Sequence, residues 1–416
     1  MFLFYSLIYL LSVIILLPYE FLKRQRSLRR RWLKEKFGFI RINKQPSSIW
    51  LHAVSVGEVM ASLPFIKALK EQYPRLYIVV STVTDTGQKV ASERLKGIAE
   101  TIYIPFDISF CLRRALQSIK PILFIAVETE IWPNIFRVMR ISEVPVAIVN
   151  GRISSASFRG YMRIRVFMKR VLENVDLFCM QEPEYAQRII AIGAKKHAVS
   201  VTGNFKFDLK ASSQRPLWAN CIQGNAIIAG STHKGEEDLV LSVFMALKKD
   251  FPNLNLILAP RHPERFNEVE DLIKSKGVSY LRRSRLSGFE GSSAVILLDT
   301  IGELFSAYSI ADIAIIGGSF IKHGGQNPLE PAYWGKPVVC GPHMENFPFV
   351  EEFLKEGAII RADELTLYRI LKELLRDPEK RSAIGIRAKE LCMEKTGAVQ
   401  NTLKALERYL EKYGTI

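Results

Sequence analysis

Short apolar runs that stop at glycine and give way to a helical pattern recur along most of this chain, and they constrain its fold more than any other feature. The sharpest instance lies in residues 311–341. Ile313-Ala314-Ile315-Ile316 stops at Gly317-Gly318-Ser319, and the loop Ile321-Lys322-His323-Gly324-Gly325-Gln326 leads to Asn327-Pro328-Leu329-Glu330. A second run, Pro337-Val338-Val339-Cys340, then ends at Gly341. Both runs are too short for helices and are bounded as buried parallel strands are. Asn327 is an N-cap candidate, with Pro328 at the first helical position and Glu330 in the first turn. Two readings stand side by side. Glycines let the backbone approach a phosphate or sugar, with helix N–H groups to favour an anion or an acid to accept from ribose hydroxyls. Equally, strand-to-helix loops of this kind are ordinary in α/β proteins.

The alternation predicts strands at 49–51, 77–81, 101–104, 122–127, 146–149, 177–180 and 199–202, then a second series at 226–229, 254–258, 279–281, 295–298, 313–316, 338–340 and 358–360. Residues 84–87 read as a turn before a helix at 88–95. Strand and helix in alternation argue doubly wound parallel sheets, whose ligands lie beyond the carboxyl ends of the strands. A length of 416 residues calls for two domains. Residues 210–223 lack an apolar period and hold Ser212-Ser213-Gln214 and Pro216, which makes them the linker candidate. Two sheets of similar size joined there predict a cleft between the domains, and the chain ends in helices at 364–375, 379–394 and 398–410.

Residues 2–17 carry no charge and are followed by the block Lys23-Arg24-Gln25-Arg26-Ser27-Leu28-Arg29-Arg30-Arg31. A cleaved signal peptide has its positive charges before the apolar core, the reverse of this order. With residues 19–22 included the run is long enough to span a bilayer, and the arginines would hold the following domain on the cytoplasmic side and attract anionic lipid. The alternative, a buried N-terminal helix, fits poorly with a circumference that no charge interrupts. Residues 32–39 read as an interfacial helix. A net charge of +16 implies an anionic partner: nucleic acid, membrane lipid or a phosphorylated substrate. The five cysteines are far apart, without a CxxC pair, and indicate neither a zinc site nor a disulfide framework.

Chemistry-bearing residues gather at predicted strand ends. His52-Ala53-Val54-Ser55-Val56-Gly57-Glu58 places Glu58 at a helix start, either as a general base or as a carboxylate that complements the helix dipole. His52 reads as a packed, hydrogen-bonded histidine. Glu128-Thr129-Glu130 follows an apolar run, where an acid can position a hydroxyl or balance a cation, or simply join a loop salt bridge. Lys206, between Phe205 and Phe207, could meet a carboxylate or phosphate, or pack its stem on the surface. In the second series, Ser231 to Glu237 form a small-residue loop before a helix, and Arg261 is the better anion ligand of the pair Arg261 and Arg265, the latter read as paired with an acid. Asp299-Thr300-Ile301-Gly302-Glu303 opens another helix. Four donor-rich loops on one face describe a nucleotide site. The absence of GxxxxGK[ST], of GxGxxG and of a metal-ligand cluster weighs against an NTPase, a Rossmann dehydrogenase and a metalloenzyme.

These residues, in this order behind an apolar N-terminal segment, resemble the 3-deoxy-D-manno-octulosonic acid (Kdo) transferases that build the lipopolysaccharide inner core on lipid A. The resemblance runs over essentially the whole chain, through His52 to Glu58, Glu128 to Pro133, Lys206 to Asp208, Ser231 to Glu237, Pro260 to Phe266, Ile301 to Glu303 and Asn327 to Glu330. It implies a GT-B glycosyltransferase fold, two doubly wound parallel-sheet domains facing a cleft, with CMP-Kdo as donor and a lipid A precursor, lipid IVA, as acceptor. It further implies an inverting, metal-independent displacement, with no cofactor, on the cytoplasmic face of the inner membrane. Carried over by motif, Glu58 is the implied proton acceptor, and Glu128 and Lys206 are the implied transition-state stabilisers. Pro260, Arg261, Ile301, Gly302, Glu303, Asn327, Pro328, Leu329 and Glu330 are the implied CMP contacts. Relatives tend to carry alanine at Gly151, a local departure. The expected organisation is an anchor at 1–22, a basic juxtamembrane segment at 23–48, an acceptor-binding domain at 49–209, a linker at 210–224 and a nucleotide-sugar-binding domain with terminal helices at 225–416.

Two rivals share the basic composition. A nucleic-acid-binding protein would set its charge on a groove-facing element with aromatic platforms, whereas here much of it lies beside the apolar segment. A lipid-binding scaffold without catalysis would have no use for Glu58, and acceptor-dependent CMP release discriminates it.

Overall fold

The computed structural model describes residues 1–42, 47–209, 215–286 and 294–411. They form two compact units, Met1–Asp208 with Thr396–Ile416, and Leu209–Lys395. In the first unit, α1 (Phe2–Lys23) and α2 (Arg26–Lys36) precede β1 (Ser48–His52), α3 (Val56–Gln72), β2 (Tyr77–Thr82), α4 (Asp85–Arg94) and β3 (Glu100–Tyr103). The alternation continues through α5 (Ser109–Ile119), β4 (Pro121–Val127), α6 (Pro133–Ile141), β5 (Val146–Gly151), α7 (Ser155–Arg163), α8 (Arg165–Leu172), β6 (Leu177–Met180), α9 (Pro183–Ile192) and β7 (Val199–Val201). The second unit runs β8 (Ala226–Thr232), α10 (Glu236–Lys248), β9 (Asn255–Pro260), α11 (Phe266–Ser275), β10 (Tyr280–Arg282), β11 (Val295–Leu297) and α12 (Leu304–Ala307). It ends with β12 (Ile313–Ile316), α13 (Leu329–Tyr333), β13 (Val338–Cys340), α14 (Val350–Lys355), β14 (Ile359–Arg361), α15 (Leu367–Arg376) and α16 (Pro378–Glu394), before α17 (Ala398–Leu410).

Each unit holds one seven-stranded sheet, ordered β3-β2-β1-β4-β5-β6-β7 and β10-β11-β9-β8-β12-β13-β14, and the paired strands run parallel. β1, β5, β9 and β12 are buried at every position, because helices cover both faces of such a sheet. That is why the sequence shows unbroken apolar runs rather than alternation. Strand order reverses between β1 and β4 in the first sheet and between β8 and β12 in the second. Doubly wound sheets open a crevice at the carboxyl ends of those strands.

Local sequence misplaces four features. The 84–87 turn is the first turn of α4, whose Thr84 side chain caps it by accepting from the Gly87 N–H. The 32–39 segment is not a helix of its own but begins inside α2, which ends at Lys36. Its Trp32 is buried in the first unit, edge-on to Phe106 at 6.2 Å and beneath the Arg24 guanidinium at 4.4 Å. Of the expected linker, residues 210–214 lie outside the described residues, and Trp218 is already core of the second unit with Ile228 and Ile257. Finally, α17 belongs to the first unit, not to the second as expected. Asp208 accepts the N–H groups of Gly397 and Val399 at 2.6 and 2.5 Å, and Leu403, Leu406 and Leu410 bury beside Leu69 and Phe205. An amphipathic helix records that it has an apolar face but not which core receives it.

Candidate active site

In the first unit the segment after β1 opens α3 through a Ser-x-x-Glu cap. Ser55 accepts the Glu58 N–H, its hydroxyl donates to Glu58 Oε1 at 3.1 Å, and the Val54 N–H donates to Oε2 at 2.7 Å. The cap fixes the carboxylate and leaves each oxygen a further lone pair. Burial pushes its pKa up to about 7, the nearby charges of Glu130 and Glu128 push the same way, and the Val54 N–H and Ser55 hydroxyl oppose them. A carboxylate titrating there is suited to take a proton at neutral pH. His52 is fully buried with Nδ1 at 3.1 and 3.0 Å from the carbonyl and hydroxyl oxygens of Ser81, and burial holds it down to about 3. It is a neutral packing residue.

Glu128 leaves the end of β4 in the left-handed region at φ 59°, a conformation a side chain adopts only where surroundings enforce it. Its N–H donates to the Val149 carbonyl at 2.9 Å. Glu130 Oε2 accepts the Trp132 indole N–H at 3.0 Å, and burial and then Glu128 raise its pKa. Lys206 sits in the Phe205–Phe207 turn, whose aromatic flanks are buried rather than superficial. Phe205 stacks on Phe65 of α3 at 5.1 Å, the Asn150 amide oxygen accepts the Phe205 N–H at 3.1 Å, and Asn204 accepts the Lys206 N–H at 3.0 Å. Burial lowers the Lys206 pKa, the charge of Glu128 works against that, and Arg152 adds to it. Thus the structure brings Glu58, Glu128, Glu130, Lys206 and Arg152 into one electrostatic neighbourhood.

Sequence reasoning does not single out Asn150 and Arg152, which the structure sets beside Phe205 and Lys206. At Gly151 between them an added Cβ would stand 2.6 Å from Sδ of Met180, the far end of a flexible side chain, so that alanine fits once Met180 moves. The available signal was Asn150 itself, held at φ 54°, since asparagine is one of the few side chains at ease there.

In the second unit the first glycine of the loop has a packing reason. A Cβ on Gly317 would lie 2.3 Å from the Ser231 carbonyl, so glycine is required by the close approach of the segment after β12 to the end of β8. The N–H groups of Gly318 and Phe320 are spent on Glu236, at 2.6 and 2.9 Å, and that buried carboxylate also accepts from the His233 N–H at 2.9 Å. Glu236 thereby ties the two switch-point loops together. Arg265 forks onto buried Glu237 at 2.7 and 3.2 Å, the acid pairing expected of it. Arg261, directly after Pro260, donates its backbone N–H to the Thr232 carbonyl at 2.9 Å. Its guanidinium is exposed and makes no ion pair among the described residues.

Asn327 accepts the Leu329 N–H at 3.1 Å, but the helix starts one residue later than expected, with Pro328 as N-cap and Leu329 first, and α13 has only five residues, so no helix dipole of consequence builds up behind it. Glu330 is pushed up to about 7 by burial, against the opposing pull of Asn327 and of the Arg261 charge. Pro328 and Leu329 are buried and shape the loop. Glu303 accepts from Arg283 at 2.9 Å and from the Thr300 hydroxyl, while Ile301 is exposed and Gly302 turns at φ 90°. Close to Arg261, the His233 ring packs on His323 at 4.0 Å and His262 at 5.3 Å, and burial with these neighbours depresses it to about 4.

Two doubly wound seven-stranded units, each with its donors and acids at its own switch point, form the GT-B fold of a glycosyltransferase. The same architecture appears in the solved structure of MurG from Acinetobacter baumannii, with a TM-score of 0.55 at 14% identity over 87% of this chain and 100% of that one. Residues 31–209 match the family of 3-deoxy-D-manno-octulosonic-acid transferases (kdotransferases). The 3-deoxy-D-manno-octulosonic acid transferase of Haemophilus influenzae is 38% identical over 92% of each chain, and that of Bordetella pertussis 34% identical over 87% of each. The chain belongs to this transferase family.

Proposed function

We propose that this glycosyltransferase transfers Kdo from CMP-Kdo to a lipid A precursor, lipid IVA, with inversion, on the cytoplasmic face of the inner membrane. The observation that carries the reading is Glu58, a capped carboxylate held near pKa 7 among two further acids and a half-buried lysine. Ionised Glu58 takes the proton of the acceptor hydroxyl as its oxygen attacks the anomeric carbon of Kdo from the face opposite the nucleotide. The bond from that carbon to the phosphate oxygen breaks and CMP departs with the electron pair. A single displacement of this kind inverts the centre.

Lys206 supplies positive charge where the donor's carboxylate and the transition state need it, and Glu128, which opposes the lowering of the lysine's pKa, keeps it protonated. Arg261 grips the phosphate of CMP, since its guanidinium offers a two-pronged fork. The loops at Pro260, Ile301-Gly302-Glu303 and Asn327-Pro328-Leu329-Glu330 enclose the rest of the nucleotide. A membrane-borne, phosphorylated acceptor suits the exposed arginines of α2, Arg26, Arg30 and Arg31.

Incubation with CMP-Kdo and lipid IVA should give CMP release that depends on acceptor, and a lipid product heavier by one or more Kdo residues by mass spectrometry. Turnover of a different sugar nucleotide, with CMP-Kdo untouched, would reject the donor assignment. Donor consumption without any glycosylated lipid would reject the acceptor.

A further inference from the structure

By length and apolarity α1 could cross a bilayer: 22 residues at about 1.5 Å each reach about 33 Å, against a hydrocarbon core of about 30 Å. An upright helix would leave its N-terminal turns far from the rest of the protein, with lipid on all sides. The contacts of α1 are of another kind. At its start, Tyr5 donates to Asp107 at 2.8 Å, Ser6 and Asn134 pair at 2.9 Å, and Phe2 meets the Phe167 ring edge-on at 5.6 Å. At its far end Leu17 and Phe21 pack on the cluster of Trp32, Tyr103 and Phe106, and Arg24 pairs with Asp85. Between them lie Tyr9 and Val13, so the contacting residues follow one helical stripe over the whole length.

Among the described residues the opposite flank is unpartnered. Leu3 is 83% exposed, and Phe4, Leu7, Leu11, Ile14 and Ile15 are exposed with it. This apolar surface does not stop at the helix. A groove of about 520 Å³ joins Met1, Phe4 and Ile8 to the corner between α7 and α8, where Met162, Ile164 and Val166 present apolar side chains, the last 70% exposed. Arg163 and Arg165 stand in the same groove wall, and Lys169 and Arg170 follow in α8. An apolar strip with exposed guanidinium and ammonium groups at its margin has the chemistry of an interfacial helix on anionic phospholipid.

We infer that α1 is an in-plane anchor: it lies lengthwise on the first unit, and its outer flank, continued by Ile164 and Val166, sinks into one leaflet of an anionic phospholipid bilayer without crossing it. This rests on the proposed membrane location and goes beyond it by fixing the topology. The N-terminus then stays on the same side of the membrane as both units. It also means that the segment supporting α1 is not a passive tether. Asp107, which receives Tyr5, also accepts the Asn134 and Ile135 N–H groups at 3.1 and 2.7 Å and so caps α6, the helix that follows Glu128 and Glu130.

The test uses the full chain with a protease-cleavable epitope ahead of Met1. Cleavage of the epitope in inverted inner-membrane vesicles but not in intact spheroplasts is expected, and cleavage from outside intact spheroplasts overturns the inference in favour of a spanning helix. A second arm places aspartate at Ile164 and Val166, neither of which touches the candidate site. Sedimentation of this double variant with vesicles of phosphatidylethanolamine and phosphatidylglycerol should fall by roughly tenfold, the scale of withdrawing an apolar side chain from lipid, with melting unchanged. Undiminished sedimentation overturns the continuous surface, as does self-association of the wild type through this strip in lipid vesicles. A wild-type chain that remains in the soluble fraction rejects membrane location itself, a result distinct from either topology.

Discussion

Replacing Glu58 by glutamine should slow turnover severely and, above neutral pH, stabilise the first unit. The carboxyl is lifted from 4.5 to about 7, chiefly by burial. Between those values the folded chain holds a proton that the unfolded chain has released, so stability falls as pH rises through this window and the full cost stands above pH 7. At about 1.36 kcal/mol per pH unit the rise corresponds to about 3 kcal/mol, and solvent screening of a half-buried group reduces it to about 1–2 kcal/mol. Glutamine carries no such cost, and its amide can keep the Val54 N–H through its oxygen and meet the Ser55 hydroxyl through its NH₂. For a domain of this size roughly 2–4 °C accompanies each kcal/mol, so calorimetry at pH 8 should show the variant melting about 3–6 °C higher, with no gain at pH 4. Turnover should drop by on the order of 10² to 10⁴, the usual worth of a general base, and the acidic limb of kcat near pH 7 should vanish. Glu128→Gln should slow the reaction yet keep that limb. Equal melting shifts at both pH values would refute the burial argument, and a limb that survives Glu58→Gln but is lost in Glu128→Gln would exchange the two roles.

Arg261→Ala should weaken CMP binding by roughly 1.5–3 kcal/mol, the scale of hydrogen bonds to a charged group, and unchanged affinity by calorimetry would move the phosphate to Ser231 and Thr232. Asp107→Asn leaves one carbonyl oxygen to serve the three donors Tyr5, Asn134 and Ile135, and should lower stability by about 1–3 kcal/mol in thermal unfolding; an unaltered midpoint would mean the cap is dispensable. Gly317→Ala drives a methyl into the Ser231 carbonyl and should destabilise the second unit by more than about 1 kcal/mol, whereas a normal melting curve with impaired CMP binding would restore the ligand-approach reading of that glycine.

The sequence by itself determined the parallel-sheet architecture, because β4 or β12, buried on both faces, has to be apolar throughout and has to end where the chain turns back into a helix. It also determined the position of Glu58, since a Ser-x-x-Glu cap is a contract between residues three apart. Tertiary structure decided everything that depends on partners distant in the chain. The proton affinity of Glu58 comes from burial and from acids at the end of another strand, and the setting of Lys206 from Asn150 and Phe65. Gly317 is glycine because of a carbonyl more than eighty residues away, and α17 closes the unit in which the chain began. The same holds for α1: composition makes it apolar all round, and only the stripe of contacts through Tyr5, Tyr9 and Val13 shows that one side is already taken. Local pattern reports which surfaces must leave water, whereas the identity of what covers them is a matter of long-range packing, which no short window of sequence contains.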